Sequence, residues 1–470
     1  MSVLKGFSYR RFNKLKCLKI KGCSIFLIFE KMKTKPAKIV AVSLLVVLFF
    51  TACKPTQKVK ETRAAQPIST VVSPDGTKTD TFLTQLLSAY PQYFGDILKN
   101  PDSLGVQIIY TQINRGRNNL PALTNYYFNV NPEHYFYPAS TVKMPVAFLA
   151  LEKLNDLKIP GLTRQSTMIT ESAYSGQTSV YNDPTSEDGR PSMEHYIKKI
   201  FLVSNNDAYN RLYEFLGPEY INEQLHKKGY KDVQFLHRLQ LSLTDDENRH
   251  TNPVKFFDTS GKLLYEKPAL FSQQTYEPRH TKMGKGFIDA TTLVNEPFDF
   301  STKNRISLED LHTILRSVIF PKTVPATQRF HLTDDDYRFL WKYMSQFPSE
   351  TTYPQYPEFA DWDAEGKMIL YGSEKGKKPT TLRIFNKLGG AYGFLLDVAY
   401  VVDFEKKVEF FLSTVIYCNS DGIFNDDKYD YDNVGLPFMK HLGEVIYQYE
   451  VNRPKKHLPD LSAMKLVYDK

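Results

Sequence analysis

A chain of 470 residues with 42% apolar and 14% aromatic side chains has ample material for a large core, which excludes a low-complexity or disordered protein. The formal net charge of +8 belongs to one end, because the first 52 residues carry 11 of the 60 Lys and Arg and one of the 52 acids. The remainder holds 49 bases against 51 acids, so nothing in it argues for nucleic acid as a partner.

Within that basic leader, Lys33, Lys35 and Lys38 precede an apolar stretch, Ile39 to Phe50, that is too short for a comfortable membrane span. This is the pattern of a secretory signal. It ends in Phe50-Thr51-Ala52-Cys53, which resembles a bacterial lipobox. Cleavage before Cys53 would leave an exported, membrane-anchored lipoprotein of the cell envelope, held by more than one acyl chain because a single chain binds weakly. A plain signal peptide with an accidental cysteine is the alternative. Residues 1–31 precede Met32, which would start a signal of ordinary length at 32–52, so a start-site artefact stays open for them. Cys17 and Cys23 lie in the leader and Cys53 is the anchor candidate, which leaves Cys418, expected to pack in a strand, and no disulfide framework.

Residues 53–80 are polar, with Pro67 and Pro74-Asp75-Gly76, the composition of a tether. Folded sequence is expected from 81 to 450, with 451–470 as a tail. Phe82, Leu86, Leu87 and Tyr90 fit a helical stripe. Strands are expected at Gly105–Tyr110 and Thr124–Val130, with a turn at Asn114-Arg115-Gly116. Next comes Tyr137-Pro138-Ala139-Ser140-Thr141-Val142-Lys143, which opens the most apolar helix-length run of the chain, to about Leu157. Helices follow over Ser192–Leu202, Asp207–Leu216 and 219–228, so Ser204-Asn205-Asn206 falls between two of them. Residues 245–300 show no strong period and the ten histidines show no zinc-ligand spacing, so no metal or cofactor is expected. Two more helices, Ser307–Ile319 and Asp334–Ser345, complete a helical part of about 140–345, and Tyr353–Lys378 reads as a surface excursion. Three strands follow, Leu382–Gly393, Leu395–Asp403 and Val408–Tyr417, then an amphipathic helix, Leu436–Tyr449. The expected fold class is α/β (α+β): an antiparallel sheet flanked by helices, plus an all-helical subdomain.

Ser140 at a helix start, with Lys143 one turn on, pairs a hydroxyl at the positive end of a helix dipole with a lysine that burial would deprotonate. Such a pair can act as nucleophile and base. Taken alone the pattern is common; Ser2-Val3-Leu4-Lys5 and Ser462-Ala463-Met464-Lys465 also match it. Ser140 is singled out by order: Ser140-x-x-Lys143, then Ser204-x-Asn206, then Lys387-x-Gly389 on the first C-terminal strand. Lys-x-Gly is weak by itself, since Lys227-Lys228-Gly229 and Lys282-Met283-Gly284 match too.

The ordered trio resembles class A β-lactamases and penicillin-binding proteins, the penicillin-recognising serine hydrolases, over about residues 81–450. The resemblance implies an acyl-enzyme at Ser140, with Lys143 taking or relaying its proton and Ser204 passing a proton to the leaving nitrogen beside Lys387. It implies that Asn206 holds a substrate amide, and that the backbone N–H groups of Ser140 and Gly390 form an oxyanion hole. Glycine at 389 would let the substrate backbone lie against the strand. Departures are equally visible. Asn205 stands where class A has Asp, and Leu388 stands where the family has Thr or Ser to grip a substrate carboxylate. Gln240, in Phe235-Leu236-His237-Arg238-Leu239-Gln240, aligns with the deacylating Glu, with Asp245, Asp246 and Glu247 as substitutes if that loop is shorter. Residues 245–300 and 346–380 read as insertions near the cleft. The expected substrate is a small-molecule or peptidoglycan-like amide. Three functions follow: a class A-like β-lactamase, a penicillin-binding-protein-like D,D-peptidase or amidase with slow deacylation, or a non-catalytic envelope-binding lipoprotein with a decayed site.

Overall fold

The computed structural model describes residues 70–277 and 279–470, together with the backbone of a short hairpin, Leu18–Ile20 paired with Cys23–Ile25, in a separate N-terminal unit of residues 1–64. The signal stretch, Cys53 and most of the tether lie outside the described residues. No helix among the described residues is long and apolar enough to cross a membrane.

A five-stranded antiparallel sheet carries the architecture. Its strands are β1 (Gln107–Arg115), β2 (Pro121–Phe128), β3 (Leu382–Ala391), β4 (Phe394–Asp403) and β5 (Val408–Tyr417). They lie in the order β3-β4-β5-β1-β2, so β1 from the first part of the fold pairs with β5 from the last, and β3 is an edge. Every residue of β4 is buried, as expected for an inner strand covered on both faces. Alternation along the strands sorts side chains to two cores. On β4, Leu396, Val398, Tyr400 and Val402 face one cluster while Leu395, Ala399 and Val401 face the other. Tyr392-Gly393 turns β3 into β4 with φ values of 53° and 78°, the doubly left-handed pair that a two-residue hairpin requires.

The first face is covered by α3 (Lys143–Leu157), α4 (Met193–Val203), α5 (Asn206–Leu216), α6 (Pro218–Lys227), α7 (Leu308–Ile319) and α8 (Asp334–Ser345). The second is covered by two short N-terminal helices, α1 (Thr81–Ser88) and α2 (Pro91–Lys99), and by α9 (Leu436–Asn452). This is the mixed α/β architecture expected.

Some local expectations change. The first N-terminal helix stops at Ser88 and buries Leu83 and Leu87, while Phe82, Leu86 and Tyr90 are only partly covered. β1 runs on through Asn114 to Arg115, where a turn was expected, because Arg115 donates from Nε and Nη2 to Glu409 at 2.5 and 2.6 Å and so continues the strand. Residues 245–300 form short strand pairs; Gly286–Asp289 pairs with Thr292–Val294 and, in parallel, with Ile423–Phe424. The segment expected as a surface excursion is not one. Asp363, Ala364, Lys367, Met368, Ile369 and Leu370 are buried in it. Its backbone is satisfied by a side chain instead of a ladder: Met368 and Ile369 donate their N–H groups to Asp397 Oδ2 at 3.1 and 3.0 Å. Such irregular burial leaves no period in the sequence. The last residues also pack, with Leu461 and Met464 buried and Tyr468 Oη 2.9 Å from Ser345 Oγ.

Candidate active site

Ser140 sits in a single 3-10 turn, Ala139–Val142, that feeds directly into α3. Ala139, just before it, holds φ at 46°. A left-handed non-glycine residue costs on the order of 1–3 kcal/mol and persists only where the surroundings impose it. Here the Pro138 carbonyl clamps the turn by accepting from Thr141 N at 3.0 Å and Thr141 Oγ1 at 2.6 Å. The strain aims Ser140 at the junction of α3, α4 and β3.

Lys143 is fully buried one turn later. Its Nζ stands 2.9 Å from Ser140 Oγ, 3.1 Å from Ser204 Oγ and 2.6 Å from Asn206 Oδ1, and it also donates to the Ser204 carbonyl. Burial first, and then the nearby Lys387 charge, hold its pKa well below the ordinary lysine value. The amine next to Ser140 is therefore ready to accept a proton.

Ser204 ends α4 in the left-handed conformation, with φ at 56°. That geometry points its hydroxyl at two lysines, since Lys387 Nζ donates to Ser204 Oγ at 2.8 Å as well as to the Leu388 carbonyl at 2.8 Å. Burial pushes the Lys387 amine down to about 7, against the pull of Asp397. The helix cap here is Asn205, whose side chain accepts from Ala208 N at 2.8 Å. Asn and Asp both cap well, so Asn at the position where class A has Asp still anchors α5. Asn206 is thereby free to meet Lys143 through Oδ1 and Gln240 through Nδ2, the latter at 2.6 Å.

On β3, Lys387 and Gly389 face the helical side, while Leu388 packs against the cluster under α9. A Cβ on Gly389 would lie 2.9 Å from Ser140 N, 3.0 Å from the Pro138 carbonyl and 3.1 Å from Ala139 Cβ. Glycine is thus required by the approach of the Ser140 turn to the strand. Gly390 is exposed and keeps register with Leu395 without a bulge.

Gln240 holds φ at 59° at the rim of this cluster. What holds it escaped the sequence reading. Asn210 accepts from Leu239 N at 2.8 Å and donates to its carbonyl at 3.0 Å. Arg238 donates to Glu214 at 3.0 Å and to the His250 carbonyl at 2.8 Å, and Glu214 is shared with Arg211 at 3.0 Å. The signal was available: Asn206, Asn210 and Glu214 recur every four residues, a polar stripe along one face of α5. Asp245, Asp246 and Glu247 are not brought to the site. They form the first turn of a short helix, bound to Arg249, Tyr174 and the Thr244 cap.

The structure therefore brings together Ser140, Lys143, Ser204, Asn206, Lys387, Gly389 and Gln240. Residues 106–449 match the profile of the β-lactamase enzyme family. The chain belongs to that family. Solved structures with a similar fold include a class A β-lactamase from Clostridium kluyveri, at 15% identity and TM-score 0.41, covering 78% of this chain and 98% of that one. A β-lactamase from Sphaerobacter thermophilus matches at 12% identity and TM-score 0.42, covering 79% and 98%. One from Xanthomonas campestris matches at 12% identity and TM-score 0.40, covering 80% and 100%. No curated protein matches the chain.

Proposed function

We propose that this β-lactamase-family protein is an exported, lipid-anchored serine hydrolase that acylates at Ser140 on a β-lactam or related amide and releases the acyl group slowly. The observation that carries the reading is the placement of the buried Lys143 Nζ 2.9 Å from Ser140 Oγ, enclosed by Ser204 and Asn206.

In acylation, Ser140 Oγ attacks the substrate carbonyl carbon as its proton passes to Lys143 Nζ. The carbonyl oxygen becomes an oxyanion, which the N–H groups of Ser140 and Gly390 would stabilise. Collapse breaks the C–N bond, and the leaving nitrogen takes a proton from Ser204 Oγ, which is replenished from Lys143, 3.1 Å away. The Ser140 ester, the freed amine and a neutral Lys143 remain. Deacylation then needs a base to activate water. Gln240, whose amide occupies the rim beside Asn206, cannot take a proton at neutral pH, so the ester persists. This favours the slow, penicillin-binding-protein-like mode over rapid β-lactam turnover.

The test uses the protein lacking residues 1–53, incubated with a fluorescent penicillin and a chromogenic cephalosporin beside Ser140→Ala. A stable adduct lost in the variant is the expected result. Rapid cephalosporin turnover would replace it with an efficient β-lactamase, and the absence of both signals would remove β-lactams as substrates.

A further inference from the structure

The segment between α6 and α7 reaches the site through a small hairpin. Lys282–Met283 pairs with Phe298–Asp299, and Gly286–Asp289 is held in parallel beside Ile423–Phe424, in the loop after β5. Docked there, the hairpin sets Phe298 against Tyr392 of the β3–β4 turn, with ring centroids 5.4 Å apart, and Phe300 against the same tyrosine at 5.5 Å. Tyr392 meets Tyr137 edge to face at 5.0 Å, and Tyr137 lies parallel to His237 at 6.3 Å. Three of these rings belong to segments of the site: Tyr137 stands three residues before Ser140, Tyr392 two after Gly390, and His237 three before Gln240. An aromatic wall therefore flanks the nucleophile.

The polar ends on this wall are unused. Tyr137 is 4% exposed, yet neither its hydroxyl nor that of Tyr392 makes a hydrogen bond among the described residues. Lys303 Nζ lies 5.8 Å from the Phe298 ring centroid and has neither an ion pair nor a hydrogen bond among the described residues. Its neighbour Asn304 fixes it to the stretch leading to Gln240, with Oδ1 accepting from His237 N at 3.2 Å and the Asn304 N–H donating to His237 Nε2 at 3.2 Å. Phe298, Tyr392 and Lys303 are all only partly covered, so a ligand can reach them. Burial alone lowers the Lys303 pKa, and an anion within reach would favour its charged form. Direction along β3 says which part of a substrate meets the wall. Ser204, which gives its proton to the leaving nitrogen, accepts from Lys387, while Gly390 and then Tyr392 follow toward the turn. The leaving group thus lies at the Lys387 end, and the side chain of the acyl group lies at the Tyr392 end.

We propose that Phe298, Tyr392 and Lys303 form a subsite for that acyl side chain and select an aryl group carrying a carboxylate. The proposal rests on the acylation reading, which sets the direction of the substrate. The two rings take the aryl group, and the Lys303 amine takes the carboxylate in a charge-assisted hydrogen bond. A bare ring or a bare anion uses only half of the subsite.

The experiment is a ligand-observed NMR titration of the full chain with three amides: phenylmalonamate, with ring and carboxylate, phenylacetamide, with the ring alone, and malonamate, with the carboxylate alone. Phenylmalonamate should bind about tenfold more tightly than either of the others. Lys303→Met should erase its advantage over phenylacetamide. Tyr392→Asn, which suits the left-handed turn, should erase its advantage over malonamate. No binding of phenylmalonamate, equal affinity for the three, or an advantage that survives its matching substitution overturns the proposal. If Lys303→Met does not fold, Lys303→Gln carries the same test. The titration forms no acyl-enzyme. A wild-type protein that fails to label with penicillin would therefore end the Ser140 reading, while the ranking of the three amides still decides this one.

Discussion

Gln240→Glu is the most informative single change at this site. The substitution is isosteric, and the existing amide already places Oε1 2.6 Å from Asn206 Nδ2. A carboxylate there keeps that hydrogen bond and exposes its other oxygen at the rim, where water approaches the acyl group. A positioned general base contributes about 10²- to 10⁴-fold to a hydrolytic step. The lower end applies, because Gln240 is held by a loop in a left-handed conformation and was not shaped for an anion. Deacylation should therefore accelerate about 10²-fold, a barrier reduction of about 2.7 kcal/mol. The new anion lies two hydrogen bonds from Lys143 Nζ, through Asn206, and it favours the protonated lysine. Acylation should consequently slow while release quickens. The assay follows the penicilloyl adduct by intact mass after a chase with unlabelled inhibitor, in parallel with single-turnover labelling. An adduct lifetime equal to that of the wild type would refute the placement of Gln240 at the deacylating position.

Ser204→Ala removes the hydroxyl shared by Lys143 and Lys387 and should slow labelling of Ser140 by about 10²-fold, with little effect on substrate affinity; an unaffected rate would move the proton path to Lys143 alone. Glu214→Ala leaves Arg211 and Arg238 buried without their shared carboxylate, and should cost about 3–5 kcal/mol in urea unfolding and loosen the Gln240 loop. A loss under 1 kcal/mol would mean that water replaces the pair. His312, between Thr111 Oγ1 at 2.8 Å and Ser413 Oγ at 2.7 Å, is pushed by burial down to about 3. Its folded value lies below the unfolded one, so its contribution is complete above about pH 6.5 and is lost as the pH falls toward 3, on the order of 5 kcal/mol in all. His312→Gln should flatten the dependence of urea stability on pH between 6.5 and 4, and an unaltered slope would contradict a neutral buried histidine.

Much of this site was legible because its signals are local. The Ser140 helix is apolar throughout, the Ser204 junction is bounded by two capped helices, and β3 to β5 are long strands joined by short turns. What escaped depends on contacts made across the chain. Arg115 reads as a turn residue until Glu409, 294 positions away, neutralises it. Nothing local to Gly389 shows that the atom forbidding a side chain there is the nitrogen of Ser140, 249 positions earlier. Lys367 reads as a surface lysine in a loop without periodicity, and only Asn386 and Asp397, from two different strands, show why it is inside. Each is a residue whose partner is distant along the chain, which neither propensity nor hydrophobic period can register.

These distant partners bear on how acylation and release are divided. Lys143, Lys387 and Lys367 put three buried amines around the junction of α3, α4 and β3, and Asp397 is the buried carboxylate that acts on two of them. Burial and mutual repulsion keep such amines short of protons, which suits the step in which Ser140 must lose one. The same arrangement gives nothing to the second step, in which water must lose a proton while the acyl group occupies the site. The resemblance to class A enzymes implies a carboxylate for that second step, at the position where Gln240 stands in this chain. Under the proposed function, a cluster of basic amines with a neutral amide at 240 forms the ester more readily than it breaks it. One oxygen-for-nitrogen exchange at Gln240 measures how much of the difference lies in that single charge.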